Sequence, residues 1–273
     1  MRCAMIETPR ALRKLASIVG KSLAALLMLS GPVLLAWSGL LVWHFEYGLR
    51  LPDHQRLAAI SGNEQFCSAG HGRTFVPLAE IPPLLRNAVL AEEEPDFYDR
   101  PAMLREFALA ALSNRRPRPA TIANHLARCL MPSGCCNGLD WSIGTLVLLD
   151  RVDRILSKDT IFEIYLNDVY LGRGSYGVAD AAAAYFGKSL DDLKLEEVAF
   201  IVGHATQPSP GNNQESDTRF RDRVIERMLK AGVISEATAA SAKTAPLLLR
   251  EGPEAPKPPG GAQDGPSSPQ QDQ

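Results

Sequence analysis

Apolar residues recur at helical spacing along most of this chain, and strand-like alternation is rare. Leu84, Leu85, Val89 and Leu90 form one stripe after the Pro-marked entry Ile81-Pro82-Pro83. Pro95 is expected to end or kink that helix just behind three acids. Further helical runs are expected at Met103–Leu112, Thr121–Leu130, Trp141–Leu156, Asp159–Leu166, Val178–Phe186, Leu193–His204, Thr218–Ala231 and Ser235–Lys243. Ser235 followed by Glu236 reads as an N-cap with an acid in the first turn. Between these runs, Arg115–Pro119, Met131–Asp140 and Gln207–Asn213 carry loop chemistry. Gly172, Gly174 and Gly177 mark a tight turn that needs positive φ or close backbone approach. No strand precedes them, so they do not read as a dinucleotide loop. Gly187 reads as a helix C-cap.

The two ends differ from the middle. Ser22–Trp43 carries no charged residue, roughly the length that spans a bilayer core. Arg2, Arg10, Arg13, Lys14 and Lys21 precede it against one acid, Glu7, which places the N-terminus on the cytoplasmic side. A cleaved signal peptide is the alternative. Its apolar core is normally shorter, about 7–15 residues, so an uncleaved anchor is preferred. Glu251–Gln273 is mostly Pro, Gly, Gln, Asp and Ser, and reads as a disordered tail. The expected organisation is a cytoplasmic end (1–21), a transmembrane anchor (22–43), a stalk (44–77), a domain (78–250) and the tail (251–273).

Composition agrees with a helical chain. Aromatics make up 7% of 273 residues and Ala runs are frequent, while the net charge of −2 does not suit a nucleic-acid binder. Beyond the anchor, Cys67, Cys129, Cys135 and Cys136 would face an oxidising space, so disulfides or small buried thiols are expected, with the pairing open. His125 and Cys129, with Cys135 and Cys136 beyond, sketch a zinc site whose spacing matches no standard pattern. No metal ligand is assigned.

The acids of AVLAEEEPDFYDR, the segment RPATIANHLAR and the run SKDTIFEIYLNDVYLGRGSYG together resemble glycosyltransferase family 51, the peptidoglycan transglycosylases, over about Leu78–Lys243. The monofunctional form is the nearer analogue. In this resemblance Glu93 takes the slot of the catalytic glutamate and Glu94 that of the neighbouring aspartate. Phe97 and Tyr98 match, and Arg100 stands where the family has His. A general base beside a sugar hydroxyl is what such chemistry requires. Three adjacent acids are expected to raise one another's proton affinity; taken alone, they read as a solvated helix end.

In the second motif Thr121, Ile122, Leu126 and Ala127 match, and Arg128 keeps a cation that could hold a diphosphate. Arg118, Pro119 and Ala120 replace Gly-Gly-Ser, Ala123 replaces Thr, and Asn124 and His125 replace paired Gln. Arg115, Arg116 and Arg118 suit either anionic lipid headgroups or a solvated loop. In the third motif Trp141 and Ser142 replace Arg-Lys, and Thr145 stands in the second glutamate's slot, with Asp140 and Asp150 nearby but out of register. Lys158, Glu163, Tyr165 and Asn167 match. Glu163 and Asn167 share a helix face and either line the cleft or brace the Gly turn.

The resemblance implies a mainly α, two-lobed, lysozyme-like helical domain behind an N-terminal transmembrane helix. It implies a single-pass protein of the bacterial inner membrane with its domain in the periplasm. It further implies polymerisation of a lipid-linked disaccharide-pentapeptide (lipid II), with inversion. Glu93 would be the base, supported by Glu94. Thr121, Asn124, Arg128, Lys158, Glu163 and Asn167 would bind substrate. A divalent cation, Mg or Mn, would accompany the diphosphate. Expected partners are the precursor, the nascent glycan, the membrane and other wall-synthesis proteins. The alternative reading is a membrane-anchored pseudoenzyme that binds glycan or precursor, or scaffolds wall synthesis. A glycan-cleaving, lysozyme-like enzyme using Glu93 as acid is a third.

Overall fold

The computed structural model describes residues 31–44, 48–132, 138–206 and 214–250. The expectations for 1–21, for the first nine residues of the 22–43 span, for Cys135 and Cys136, for the 207–213 loop and for the 251–273 tail lie outside them. The chain separates into two units, up to Leu51 and from Pro52 onward.

In the first unit, residues 31–43 are helical (α1). Val33, Leu34, Leu35, Trp37, Leu40, Leu41, Val42 and Trp43 are all half or more exposed. Among the described residues no helix is long and apolar enough to cross a membrane.

The second unit is helical, as the periodicity predicts: α2 (His54–Ala58), α3 (Pro83–Glu93), α4 (Met103–Leu112), α5 (Thr121–Cys129), α6 (Leu139–Ile155), α7 (Lys158–Asp168), α8 (Val178–Phe186), α9 (Leu195–Thr206), α10 (Gln214–Lys230) and α11 (Glu236–Thr244), with a 3-10 turn at Leu78–Glu80. Among the described residues the only β feature is an isolated bridge between Tyr170 and Tyr176.

Local chemistry sets the boundaries. Pro83 opens α3, where a missing N–H costs nothing. Glu94, which precedes Pro95, is forced out of helix to φ −157°, ψ 81°, so α3 stops at Glu93. The Ser157 hydroxyl accepts from Thr160 N and caps α7. Ser235 accepts from Thr238 N and caps α11, as expected. Gly187 adopts the left-handed conformation that closes α8.

Packing places the site. α3, α9 and α10 contact one another, and α5 packs on α6 and α7. Leu85, Ala88 and Val89 of α3 meet a core that includes Phe200, Ile201, Val224, Ile225 and Met228. Each such aliphatic side chain contributes about 1.5–3 kcal/mol on burial. The acidic end of α3 is thereby fixed by the α9–α10 pair.

Residues 52–77, expected as part of a stalk, are folded into this unit. Leu57 is fully buried and Ile60 nearly so. The reason is polar as well as apolar: this segment supplies backbone amides to α7. Phe66 N, Cys67 N and Ser68 N donate to the Asp168 carboxylate at 3.3, 2.7 and 3.0 Å. Val76 N donates to Asn167 Oδ1 at 2.8 Å, and Leu78 N to Glu163 Oε2 at 2.6 Å.

Candidate active site

Glu92, Glu93 and Glu94 point three ways. Neighbours on a helix are about 100° apart, so adjacent acids do not share a face. Glu92 pairs with Arg223 and Arg227 of α10 at 3.0 and 3.1 Å. Glu94 is buried against the Arg100 guanidinium and lies 3.4 Å from the Ile122 amide. Glu93 is half-buried, and its carboxylate accepts a hydrogen bond from the Tyr165 hydroxyl, with the Thr121 hydroxyl beside it.

Burial is the main reason that the Glu93 carboxyl is pushed above the ordinary carboxylate range. The Tyr165 hydroxyl opposes this by stabilising the anion, and Glu92 adds a smaller upward push. The expected mutual repulsion of the three acids is thus secondary to desolvation, because Glu92 and Glu94 have cations of their own. Burial and the Glu93 charge in turn hold the Tyr165 phenol well above its usual range, so it stays a donor. Thr121 begins α5, and its hydroxyl donates to the Glu93 backbone carbonyl at 2.8 Å.

Behind Glu93 lies a buried charge cluster that the sequence reading did not assemble. Arg100 donates to Glu94 and to both oxygens of Asp153, at 2.7 and 3.0 Å. Lys158 Nζ lies 3.1 Å from Asp153 Oδ1 and 4.8 Å above the Phe97 ring. The Asp153 and Arg100 side chains are inaccessible to solvent, whereas Lys158 remains one-fifth exposed. Burial works against the Arg100 charge, but its bonds to Asp153 and Glu94 outweigh it, and the guanidinium is held above its ordinary value. Two carboxylates against two cations leave the cluster near neutral. Asp153 was missed because the reading sought an acid at Thr145. Its position five residues before Lys158, on a helix already carrying Asp150, was the available signal.

The remaining expected residues are placed as follows. Thr121, Asn124 and Arg128 share a face of α5 by helical spacing, while Ile122, Ala123, Leu126 and Ala127 are buried. That face leads away from Glu93 for about 10 Å. Glu163 and Asn167 spend their polar atoms on the 76–78 backbone and on each other: Asn167 Nδ2 donates to Val76 O and to Glu163 O, both at 2.9 Å. These bonds brace the 76–78 segment against α7.

Thr145 donates to its own helix at Trp141 O, 2.8 Å, and supplies no carboxylate. Asp150 accepts from Leu104 N and pairs with Arg154, tying α6 to the start of α4. Arg115 and Arg118 are bound to Glu106, whose side chain is inaccessible, at 2.6 and 3.1 Å. Arg118 N also donates to Glu106 at 2.8 Å. The loop that replaces Gly-Gly-Ser is therefore held by its own acid. A groove of about 590 Å³ lined by Arg73, Thr74, Ser175 and Asp180 contains none of the expected site residues.

The transglycosylase family model matches residues 62–229. A Cupriavidus necator protein with a provisional transglycosylase assignment is 35% identical over 71% of this chain and 90% of its own length. Penicillin-binding protein 1A of Rickettsia conorii is 31% identical over 76% of this chain, and that of Escherichia coli K12 is 38% identical over 60%. The chain spans only 29% and 20% of the length of those two relatives. The crystal structure of penicillin-binding protein 1A from Haemophilus influenzae is 26% identical, with a TM-score of 0.40, covering 67% of this chain and 19% of that one.

Proposed function

The chain belongs to the transglycosylase family, glycosyltransferase family 51, and on that premise we propose that it polymerises a lipid-linked disaccharide-pentapeptide into glycan strands. The observation that carries the reading is Glu93, a desolvated carboxylate raised above its ordinary range and kept accessible by its half-buried position. Such a group is poised as a general base near neutral pH.

Glu93 takes the proton of an attacking sugar hydroxyl. The oxygen of that sugar hydroxyl bonds to the anomeric carbon of the donor from the face opposite the lipid diphosphate. The carbon–oxygen bond to that diphosphate breaks, and its electron pair leaves with the phosphate, which inverts the centre. Lys158 and Arg128 supply cations for the departing charge. Lys158 has three donors and spends one on Asp153. Thr121 and Asn124 line the path between base and cation. Glu94 supports Glu93 indirectly by fixing Arg100 and the exit of α3. The braces Glu163 and Asn167 hold α7 in place.

The implied Mg²⁺ or Mn²⁺ does not fit these residues. Asp153 and Glu94, the carboxylates near Lys158, already neutralise Arg100 and Lys158, and a hard divalent ion needs free oxygen ligands. No step is routed through one.

A lipid-linked donor requires a membrane-facing surface. Leu104, Phe107 and Leu112 of α4, and Leu139, Ile143 and Leu146 of α6, are exposed on two helices that contact each other. This patch supports a membrane-facing domain, and the outward apolar side chains of α1 by themselves suit an anchor; on the family reading we propose a single-pass inner-membrane protein with a periplasmic, two-lobed lysozyme-like domain.

One observation favours the pseudoenzyme reading: the Thr145 slot offers no second carboxylate, and Glu94 and Asp153 are sealed within ion pairs. Detergent-purified protein incubated with labelled precursor separates the two. A ladder of glycan products supports the polymerase. Precursor binding without a ladder, from folded protein, selects the pseudoenzyme.

A further inference from the structure

A second cluster lies on the far end of α5. The Cys67–Cys129 disulfide joins the 61–72 segment to the last residue of that helix. His125 sits one turn earlier, with Nε2 3.6 Å from Cys129 Sγ. Asp168 closes α7 from the other side. One potential ligand atom from each of Cys67, His125, Cys129 and Asp168 lies within 4.8 Å of all the others. Ligand atoms around a tetrahedral zinc ion stand roughly 3.3–3.8 Å apart, given bond lengths of about 2.0–2.3 Å. The four atoms thus need to close by about 1 Å while the sulfurs part.

The surroundings resemble the outer shell that orients metal ligands. The Asp168 carboxylate is aimed by the amides of Phe66, Cys67 and Ser68 and by the Ser68 hydroxyl. Among the described residues Oδ2 accepts the Cys67 amide alone, so it keeps a lone pair. The His125 imidazole donates to the Asp168 backbone carbonyl, and its Nε2 faces Cys129 Sγ. A ring with one nitrogen anchored and the other facing a sulfur is what a metal-binding histidine presents. Sulfur and imidazole ligands select zinc-class cations over Mg²⁺ or Ca²⁺.

We propose that Cys67, His125, Cys129 and Asp168 form a thiol-gated site for a zinc-class divalent cation, closed by the disulfide and opened by its reduction. A dithiol reductant attacks the Cys67–Cys129 bond. The S–S bond breaks, the reductant becomes a cyclic disulfide, and two thiols are left on the protein. The cation then displaces both thiol protons and bonds two thiolates, one imidazole nitrogen and one carboxylate oxygen. This differs from the sequence sketch, which joined His125 and Cys129 to Cys135 and Cys136; Cys67 and Asp168, remote in sequence, complete the set.

The test uses the full chain in detergent with Cys3, Cys135 and Cys136 changed to Ser, and cobalt(II) alone as probe. The reduced protein is expected to take up one cobalt per chain with the thiolate charge-transfer band and strong visible absorption of a tetrahedral ion, and to release it to zinc. The oxidised protein is expected to show neither. His125→Gln, which keeps the ring's neutral polarity, is expected to weaken uptake by about tenfold or more. Far-UV circular dichroism confirms that each variant is folded; where Cys129→Ser fails this check, His125→Gln carries the result. Equal uptake by the oxidised form, no tetrahedral spectrum on reduction, or unchanged affinity in folded His125→Gln overturns the proposal.

Discussion

Single residues decide what each acid of the Glu92–Glu94 run can do. Glu92 and Glu94 are each matched with arginine, and Glu93 is left with neutral hydroxyl donors. Removing the Tyr165 hydroxyl deprives the Glu93 anion of a donor. Tyr165→Phe is therefore expected to move the acidic limb of the pH–rate profile upward by about one unit, since a hydrogen bond to a charged group is worth about 1.5–3 kcal/mol. In the parent protein that limb should already lie above about 4.3, the ordinary glutamate value. Glu92, Thr121 and Arg223 also act on this carboxylate and remain in both proteins, so the difference reports Tyr165 alone. Asp153 gives a stability test. Asp153→Asn leaves the Arg100 guanidinium buried with one carboxylate fewer, and should cost about 3 kcal/mol in denaturant unfolding. A loss under about 1 kcal/mol would mean that the cluster is not the brace described.

At the scale of elements, the turn between α7 and α8 and the loop before α5 carry the clearest constraints. Gly177 has φ +81°, and a Cβ there would meet Asn167 O at 2.6 Å. The backbone oxygen cannot rotate away, so Gly177→Ala should destabilise by about 2–4 kcal/mol, read from the shift in midpoint at constant slope. Gly62 is tighter against Glu163, whose Oε1 stands 1.6 Å from a Cβ built there. The loop before α5 hangs on Glu106, whose carboxyl Arg115 holds well below the usual range. A depressed pKa means that the unfolded chain binds the proton first. The stabilisation is complete above about pH 4.3 and fades as pH falls toward the folded value. Glu106→Gln should flatten that acid limb of stability, measured by urea midpoints at about pH 3 and about pH 6.

Element types were legible because period 3.6 runs through α3–α11, and caps such as Ser235 and Gly187 advertise themselves. The role of 52–77 was not, because its contribution is backbone amides, which carry no side-chain signature. The same holds for Asp168, which gathers amides about a hundred residues away in sequence.

Across the whole molecule, the second unit reads as a helical scaffold that spends most of its ionic groups on itself. Arg100, Arg115, Arg118, Glu94, Glu106 and Asp153 all have internal partners. Glu93 was recognisable from its place in a motif. Its isolation from the neighbouring acids was not, since that depends on Arg100 folding back onto Glu94 and on cations brought in from α10. The central claim is that this one carboxylate is the working base. The most direct measurement is the rate of glycan formation from labelled lipid-linked precursor at neutral pH, for the parent protein and Glu93→Gln side by side, both shown folded. The account predicts product from the parent and a loss of at least about a hundredfold in the variant. Equal rates, or product from neither, would contradict it.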